Sequence, residues 1–200
     1  MCKKCTRSNH DLLMYNHHMK KLLLLPLLFL SIAQAEMIQC ESMTALTGDM
    51  ILCNKAEGQK LKIKLSGLVA PKTGQAYANE SRQLLSELIM PGSFDEANKI
   101  TVYIFEQDTE NNAIGIVYRE YPAPDCSPGF CCEPISPMPV SRYLLEHGLA
   151  WYTPDDFRKD YIIPREQDLE QKARAAKRGL WADKNPVAPW EWRKQKKGKK

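Results

Sequence analysis

The chain has 200 residues, 28 of them Lys or Arg and 24 Asp or Glu, for a formal net charge of +4. That length suits one domain with a real core. The surplus charge sits at the ends: Lys3, Lys4, Arg7, Lys20 and Lys21 precede residue 36, and Arg193, Lys194, Lys196, Lys197, Lys199 and Lys200 close the chain. Glu36 to Trp192 is net negative, which excludes a body that grips polyanions by its average charge.

The first 35 residues read as a secretory signal. Lys20-Lys21 lead into the apolar run Leu22 to Ile32, which ends in Ala33-Gln34-Ala35. The run falls short of the ~20 residues that span a bilayer. Met19 directly precedes Lys20, so translation starting there would never produce Cys2, Cys5 or His10. The expected mature chain is Glu36 to Lys200, exported to the periplasm or secreted, with no transmembrane segment after cleavage.

Met37 to Leu46 and Met50 to Ala56 read as strands joined at Thr47-Gly48-Asp49. Gln59 to Leu68 alternates, with Leu61, Ile63 and Leu65 on one face and Lys60, Lys62 and Lys64 on the other, the period of a half-buried strand. Ala76 to Met90 repeats apolar residues at helical spacing and stops at Pro91-Gly92. Lys99 to Phe105 and Ala113 to Tyr118 are strands rich in β-branched and aromatic residues. Tyr121 to Pro139 carries too many prolines for a helix or an inner strand and reads as a stapled surface loop. Val140 to His147 is a helix ended by Gly148, Leu149 to Tyr152 a short extended piece, and Arg165 to Arg178 a helix ended by Gly179. The terminal lysines, 194–200, read as a solvated basic tail.

Five cysteines follow the leader: Cys40, Cys53, Cys126, Cys131 and Cys132. Export makes disulfides the default. Cys40 and Cys53 are placed to face each other across the first hairpin, and Cys126 can pair with Cys131 or Cys132, leaving one thiol over. A Cys-x4-Cys-Cys metal site is the alternative, but no histidine lies nearby.

Three stretches carry a resemblance to a known family. They are Ile63-Lys64-Leu65-Ser66-Gly67-Leu68-Val69-Ala70-Pro71-Lys72, Glu146-His147-Gly148-Leu149-Ala150-Trp151-Tyr152, and Glu170 to Trp181 with the following Pro186 to Arg193. Together with Gly48-Asp49 they resemble the staphylococcal nuclease-like (thermonuclease-like) family from about Cys40 to Arg193. The resemblance implies an α+β fold, an OB-type five-stranded barrel with three helices, over 36–193 with the Pro/Cys loop 121–139 inserted.

The resemblance also implies a site for phosphodiester hydrolysis: two aspartates on calcium, a glutamate near the water and two arginines on the phosphate. Asp49 matches the first aspartate. Val69 stands for the second, Lys72 for the glutamate, Lys64 for the first arginine and Ile114 for the second arginine. Calcium takes 6–8 oxygens, usually from several carboxylates, and loss of one preorganised charge-stabilising donor costs roughly 10²–10³ in rate. The substitutions therefore point to a catalytically impaired pseudoenzyme that acts by binding.

Two rival readings stand beside it. One is an active, metal-dependent nuclease with a relocated site at Asp108 and Glu110, with Glu80 nearby, using calcium. The other is a structural subunit of an envelope or secretion assembly, docking a protein partner through residues 121–139. Lys194, Lys196, Lys197, Lys199 and Lys200 are the candidate contacts to nucleic acid. His147, beside Gly148, reads as a helix-end contact rather than a base. Trp151, Tyr152, Trp190 and Trp192 read as core or anchoring residues before stacking platforms, and Asp155, Asp156 and Asp160 as a solvated loop.

Overall fold

Alternation in the first half of the chain becomes an antiparallel meander. A computed structural model describes residues 35–90, 100–119, 137–154 and 165–198. Strand β1 (Glu36–Ile38) is followed by β2 (Ser42–Thr47), β3 (Met50–Asn54) and β4 (Lys60–Leu65). The single strand expected over Met37 to Leu46 is thus two. β1 pairs with β6 (Ile100–Gln107), whereas β2 pairs with β3, so the chain changes neighbours between Ile38 and Ser42. Cys40 lies in that break and is disulfide-bonded to Cys53 in β3, as the hairpin reading expected. Cys126, Cys131 and Cys132 lie outside the described residues.

In β4, Ile63 and Leu65 are buried while Lys60 and Lys62 face out. The run expected to continue to Leu68 is interrupted at Ser66-Gly67, where Gly67 takes a φ of 83°, and resumes as β5 (Leu68–Val69). β5 leaves the main sheet and pairs with β9 (Trp151–Tyr152). The main sheet runs β1-β6-β7-β4-β3-β2, with β7 at Ala113–Arg119. Its β4–β7 pair is parallel, and β8 (Met138–Pro139) adds to β7. β8 falls at the end of the segment read as loop; a proline at the end of a two-residue edge strand breaks no inner ladder. The strand order and single parallel pair are those of an OB-type barrel with added edge strands.

Helix α1 (Ala78–Ile89) buries Leu85, Leu88 and Ile89 at helical spacing. α2 (Val140–Glu146) buries Val140, Leu144 and Leu145, and these join Ile51, Ile63, Leu68 and Val102 in one core. α3 (Arg165–Ala175) turns Glu166, Glu170 and Ala173 inward. The two buried carboxylates are compensated. Glu166 Oε1 lies 3.5 Å from Arg142 Nε, and Glu170 Oε1 lies 3.2 Å from Arg174 Nη2.

The two motif glycines after α2 and α3 meet each other. Gly148 (φ 67°) donates no side chain to the contact, and a Cβ there would stand 2.3 Å from the Arg178 carbonyl oxygen. A Cβ on Gly179 would stand 2.4 Å from the Gly148 carbonyl oxygen, which instead accepts the Leu180 N–H at 2.8 Å. Around this crossing Trp151, Ala173, Leu180 and Trp181 make a second core cluster.

Three helices were expected; a fourth, α4 (Pro189–Lys197), carries most of the basic tail. Pro189 opens it, where a missing N–H and a fixed φ suit the first helical position. Lys194 reaches Glu191 one turn back at 3.1 Å, and Lys196 lies over the Trp192 ring at 5.0 Å.

Candidate functional site

The β2–β3 turn places Asp49 in the interior, with 1% of its surface exposed. The turn is pressed against α1 and the end of β5. A Cβ on Gly48 would come within 1.8 Å of Ser81 Oγ and 2.8 Å of the Ala70 Cβ. A buried carboxylate needs donors, because its desolvation is otherwise uncompensated. Asp49 has three. Thr47 Oγ1 donates to Oδ1 at 2.7 Å, the Ala70 N–H donates to Oδ2 at 3.1 Å, and Lys72 Nζ donates to Oδ2 at 2.6 Å. The Asp49 carbonyl accepts the Leu65 N–H at 2.9 Å, which locks the turn to β4.

The Lys72 contact is an ion pair between a buried acid and an ammonium group that is 31% exposed. Position 72, where the resemblance implies a glutamate, therefore holds a cation directly on the carboxylate expected to bind one. Val69 offers no side-chain oxygen. Among the described residues no group of three or more His, Cys, Asp or Glu side chains converges to hold a metal ion. These residues do not fit a calcium site: the one carboxylate is already bonded at both oxygens, and an ammonium lies on Oδ2.

Lys64 and Ile114 are registered side by side across the parallel pair, and Lys64 also faces Met50 in β3. The two positions at which the resemblance implies arginines are thus neighbours in space, one holding a charge without a bidentate fork and the other an apolar chain.

Asp108 and Glu110 lie on the β6–β7 turn. Asp108 Oδ1 accepts the backbone N–H groups of Glu110 and Asn112, each at 2.9 Å, and both its oxygens accept from Asn112 Nδ2 at 3.2 and 3.1 Å. The Asn112 side chain and backbone donors, joined by the Glu110 N–H and the charge of Lys64, hold its carboxyl below the usual carboxylate range. Asp108 is thereby occupied in shaping a turn in which Asn111 takes a φ of 64°. Glu80 is exposed in the first turn of α1.

His147 sits at the C-terminal end of α2, its Nδ1 2.8 Å from the Tyr143 carbonyl oxygen, as the helix-end reading expected. Trp151 and Trp181 are core residues meeting edge to face at 5.5 Å, whereas Trp190 is 39% exposed. Asp155, Asp156 and Asp160 lie outside the described residues, as do Lys199 and Lys200.

Sequence reasoning missed Gln75. Its Oε1 accepts the Lys72 N–H at 3.1 Å and its Nε2 donates to the Val187 carbonyl, so one amide joins the Lys72 turn to the segment leading into α4. A glutamine three residues after a turn lysine carries no signal of that in sequence.

A model of staphylococcal nuclease homologues matches residues 62–183. The chain belongs to this family. A protein named as an uncharacterized endonuclease of Escherichia coli is 30% identical over 68% of this chain and 72% of its own length. Another so named, from Haemophilus influenzae, is 26% identical over 89% of this chain and 88% of its own. A staphylococcal-like nuclease of Arabidopsis thaliana is 30% identical over 70% of this chain but only 35% of its own length. The match thus spans about a third of that longer plant protein.

Proposed function

We propose that this member of the nuclease family is exported and catalytically impaired, and that it acts by binding rather than by hydrolysis. The observation that carries the reading is the Lys72–Asp49 pair: the carboxylate to which the resemblance assigns a cation is bonded to the chain's own ammonium at 2.6 Å. Position 72 therefore supplies no proton acceptor for a water. Val69, Lys64 and Ile114 supply neither a second carboxylate nor a guanidinium fork. The Cys40–Cys53 bridge supports an oxidising destination, where disulfides persist.

The names of the bacterial relatives favour a second reading, an endonuclease, which in this chain would need a relocated metal site. Asp108 is its central residue, and the four hydrogen bonds that Asp108 accepts within its own turn count against it. A protein partner docking on 121–139 would use residues that are almost all outside the described ones.

Cleavage by the purified oxidised protein separates these readings. Single-stranded DNA, duplex DNA and RNA are each incubated with calcium, magnesium, manganese or EDTA. The proposal expects no turnover in any condition. Metal-dependent turnover abolished by Asp49→Ala or Asp108→Ala would establish an enzyme and defeat it.

A further inference from the structure

We propose that helix α4 is a strap on the Asp49 site: docked, it holds Lys72 against Asp49; released, it frees the ammonium and opens the carboxylate. This rests on the non-hydrolytic reading above and adds a control on the pair that carries it. The family match ends at Asp183, so α4 lies beyond it.

The strap is thinly attached. α4 is nine residues long, and Pro189 is the one buried residue among its described side chains. An isolated helix of that length is marginal in water, so α4 stays helical by being docked. A segment with so little buried apolar surface opens locally at far smaller cost than the whole domain.

Its anchors fall on the stretch of chain that carries Lys72 and on the strand beside it. Trp190 meets Trp151 edge to face at 6.4 Å, and Trp151 pairs with Val69 in the β5–β9 ladder. Ala188 and Tyr77 both pack on the Trp151–Trp181 cluster. Lys196 Nζ would lie 3.8 Å from a Cβ added to Gly74. The Val187 carbonyl, just before α4, accepts from Gln75 Nε2. Gln75 passes that position on to Lys72: its Oε1 accepts the Lys72 N–H at 3.1 Å, and its own N–H donates to the Lys72 carbonyl at 2.8 Å. Lys72 Nζ then reaches Asp49 Oδ2 at 2.6 Å.

The turn between Lys72 and α1 is also held under strain. Tyr77 takes a φ of 64°, a left-handed conformation that is costly for a residue with a side chain and persists only where the surroundings impose it. Release of α4 removes part of that support, so the turn can relax away from Asp49. Asp49 keeps Thr47 Oγ1 and the Ala70 N–H and stays in its own turn, while Oδ2 loses the ammonium. Coupling of this kind is reciprocal: whatever α4 contributes to the pair, the pair contributes to the docking of α4.

The test uses the full oxidised protein and two readouts. One is the rate at which acetic anhydride labels Lys72, read by peptide mass spectrometry against Lys62, which is exposed on β4. The other is hydrogen exchange of the α4 amides, with the α1 amides as the measure of global opening. Both are followed in urea below the unfolding transition. Local opening exposes little surface, so Lys72 labelling and α4 exchange should hardly respond to urea, while α1 exchange climbs steeply. In that urea-independent range, Trp190→Ala should raise both rates roughly two- to tenfold, the span set by loss of one aromatic pair. Lys72→Met should speed α4 exchange in the same range. Arg193→Ala, an exposed position that touches no anchor, should leave both rates at the wild-type value.

Lys72 labelling that ignores Trp190→Ala, or that climbs with urea as steeply as α1 exchange, would overturn the proposal and leave the non-hydrolytic reading standing. So would α4 exchange that ignores Lys72→Met, or an Arg193→Ala variant that matches Trp190→Ala. Metal-dependent cleavage of DNA or RNA by the wild type would instead defeat the non-hydrolytic reading itself.

Discussion

Replacing Lys72 with methionine removes the ammonium from Asp49 and keeps most of the apolar stem. The carboxylate left behind is 1% exposed and retains only Thr47 and the Ala70 N–H. Stranding one member of a fully buried pair costs roughly 3–5 kcal/mol, and a hydrogen bond to a charged group contributes about 1.5–3. Lys72 is 31% exposed, so water can take part of its place, and the lower range applies. The expected loss is about 2 kcal/mol, or roughly 4–8 °C in Tm for a domain of this size. Asp49→Asn should be milder, because it leaves no buried charge and the freed lysine can turn to water. In the double variant, removing Lys72 should cost almost nothing further. The assay is urea and thermal unfolding of wild type, both single variants and the double variant at neutral pH, repeated in about 1 M salt, where exposed pairs are screened. A coupling of about 2 kcal/mol that survives salt confirms that the pair closes the site. If the single effects simply add, Lys72 does not hold Asp49 and the account of position 72 fails.

Restoring carboxylates should create a cation site the wild type lacks. Val69→Asp/Lys72→Glu is expected to gain about 1.4 kcal/mol of stability when calcium reaches ten times its Kd, while wild-type Tm stays flat; scanning calorimetry with and without calcium decides it. Cys40 and Cys53 are 13 residues apart, so removing their bridge with Cys40→Ala/Cys53→Ala should cost about 3 kcal/mol, measured by denaturation against the oxidised wild type. Asp108 has a carboxyl held below its unfolded value, so its contribution is complete above about pH 4 and fades as pH falls through the folded pKa. Asp108→Ala should therefore melt lower than wild type at neutral pH, with the two Tm curves converging in acid; a gap undiminished at about pH 2 would refute that sign.

Where burial imposes a period, the sequence was legible. The alternation of Leu61, Ile63 and Leu65 with lysines predicted β4, and the apolar spacing of Leu84, Leu85, Leu88 and Ile89 predicted α1, because each element packs one face on the core. Asp49 was singled out only through the family resemblance to which Gly48-Asp49 contributes. The Lys72 contact was not, since it joins residues 23 apart through a fold-dependent approach of β5 to the first hairpin. Helix α4 was misread because counting lysines hid weaker local signals: Pro189 at the first position and the pairs Glu191–Lys194 and Trp192–Lys196. The split between β1 and β2 had no local signal at all, since it is set by which strand lies across the sheet edge.

Gly148 and Gly179 have a consequence for how this chain can change over time. At Gly48 the obstacle to a larger residue is chiefly a side chain, Ser81, which a second substitution could shrink. At Gly148 and Gly179 the nearest obstacle is the other segment's carbonyl oxygen, which every amino acid carries. No partner substitution can make room there, so the two positions lie beyond the reach of compensatory mutation. A lineage can exchange the chemistry around Asp49 one side chain at a time, but it must keep this crossing of two main chains or rebuild the second core.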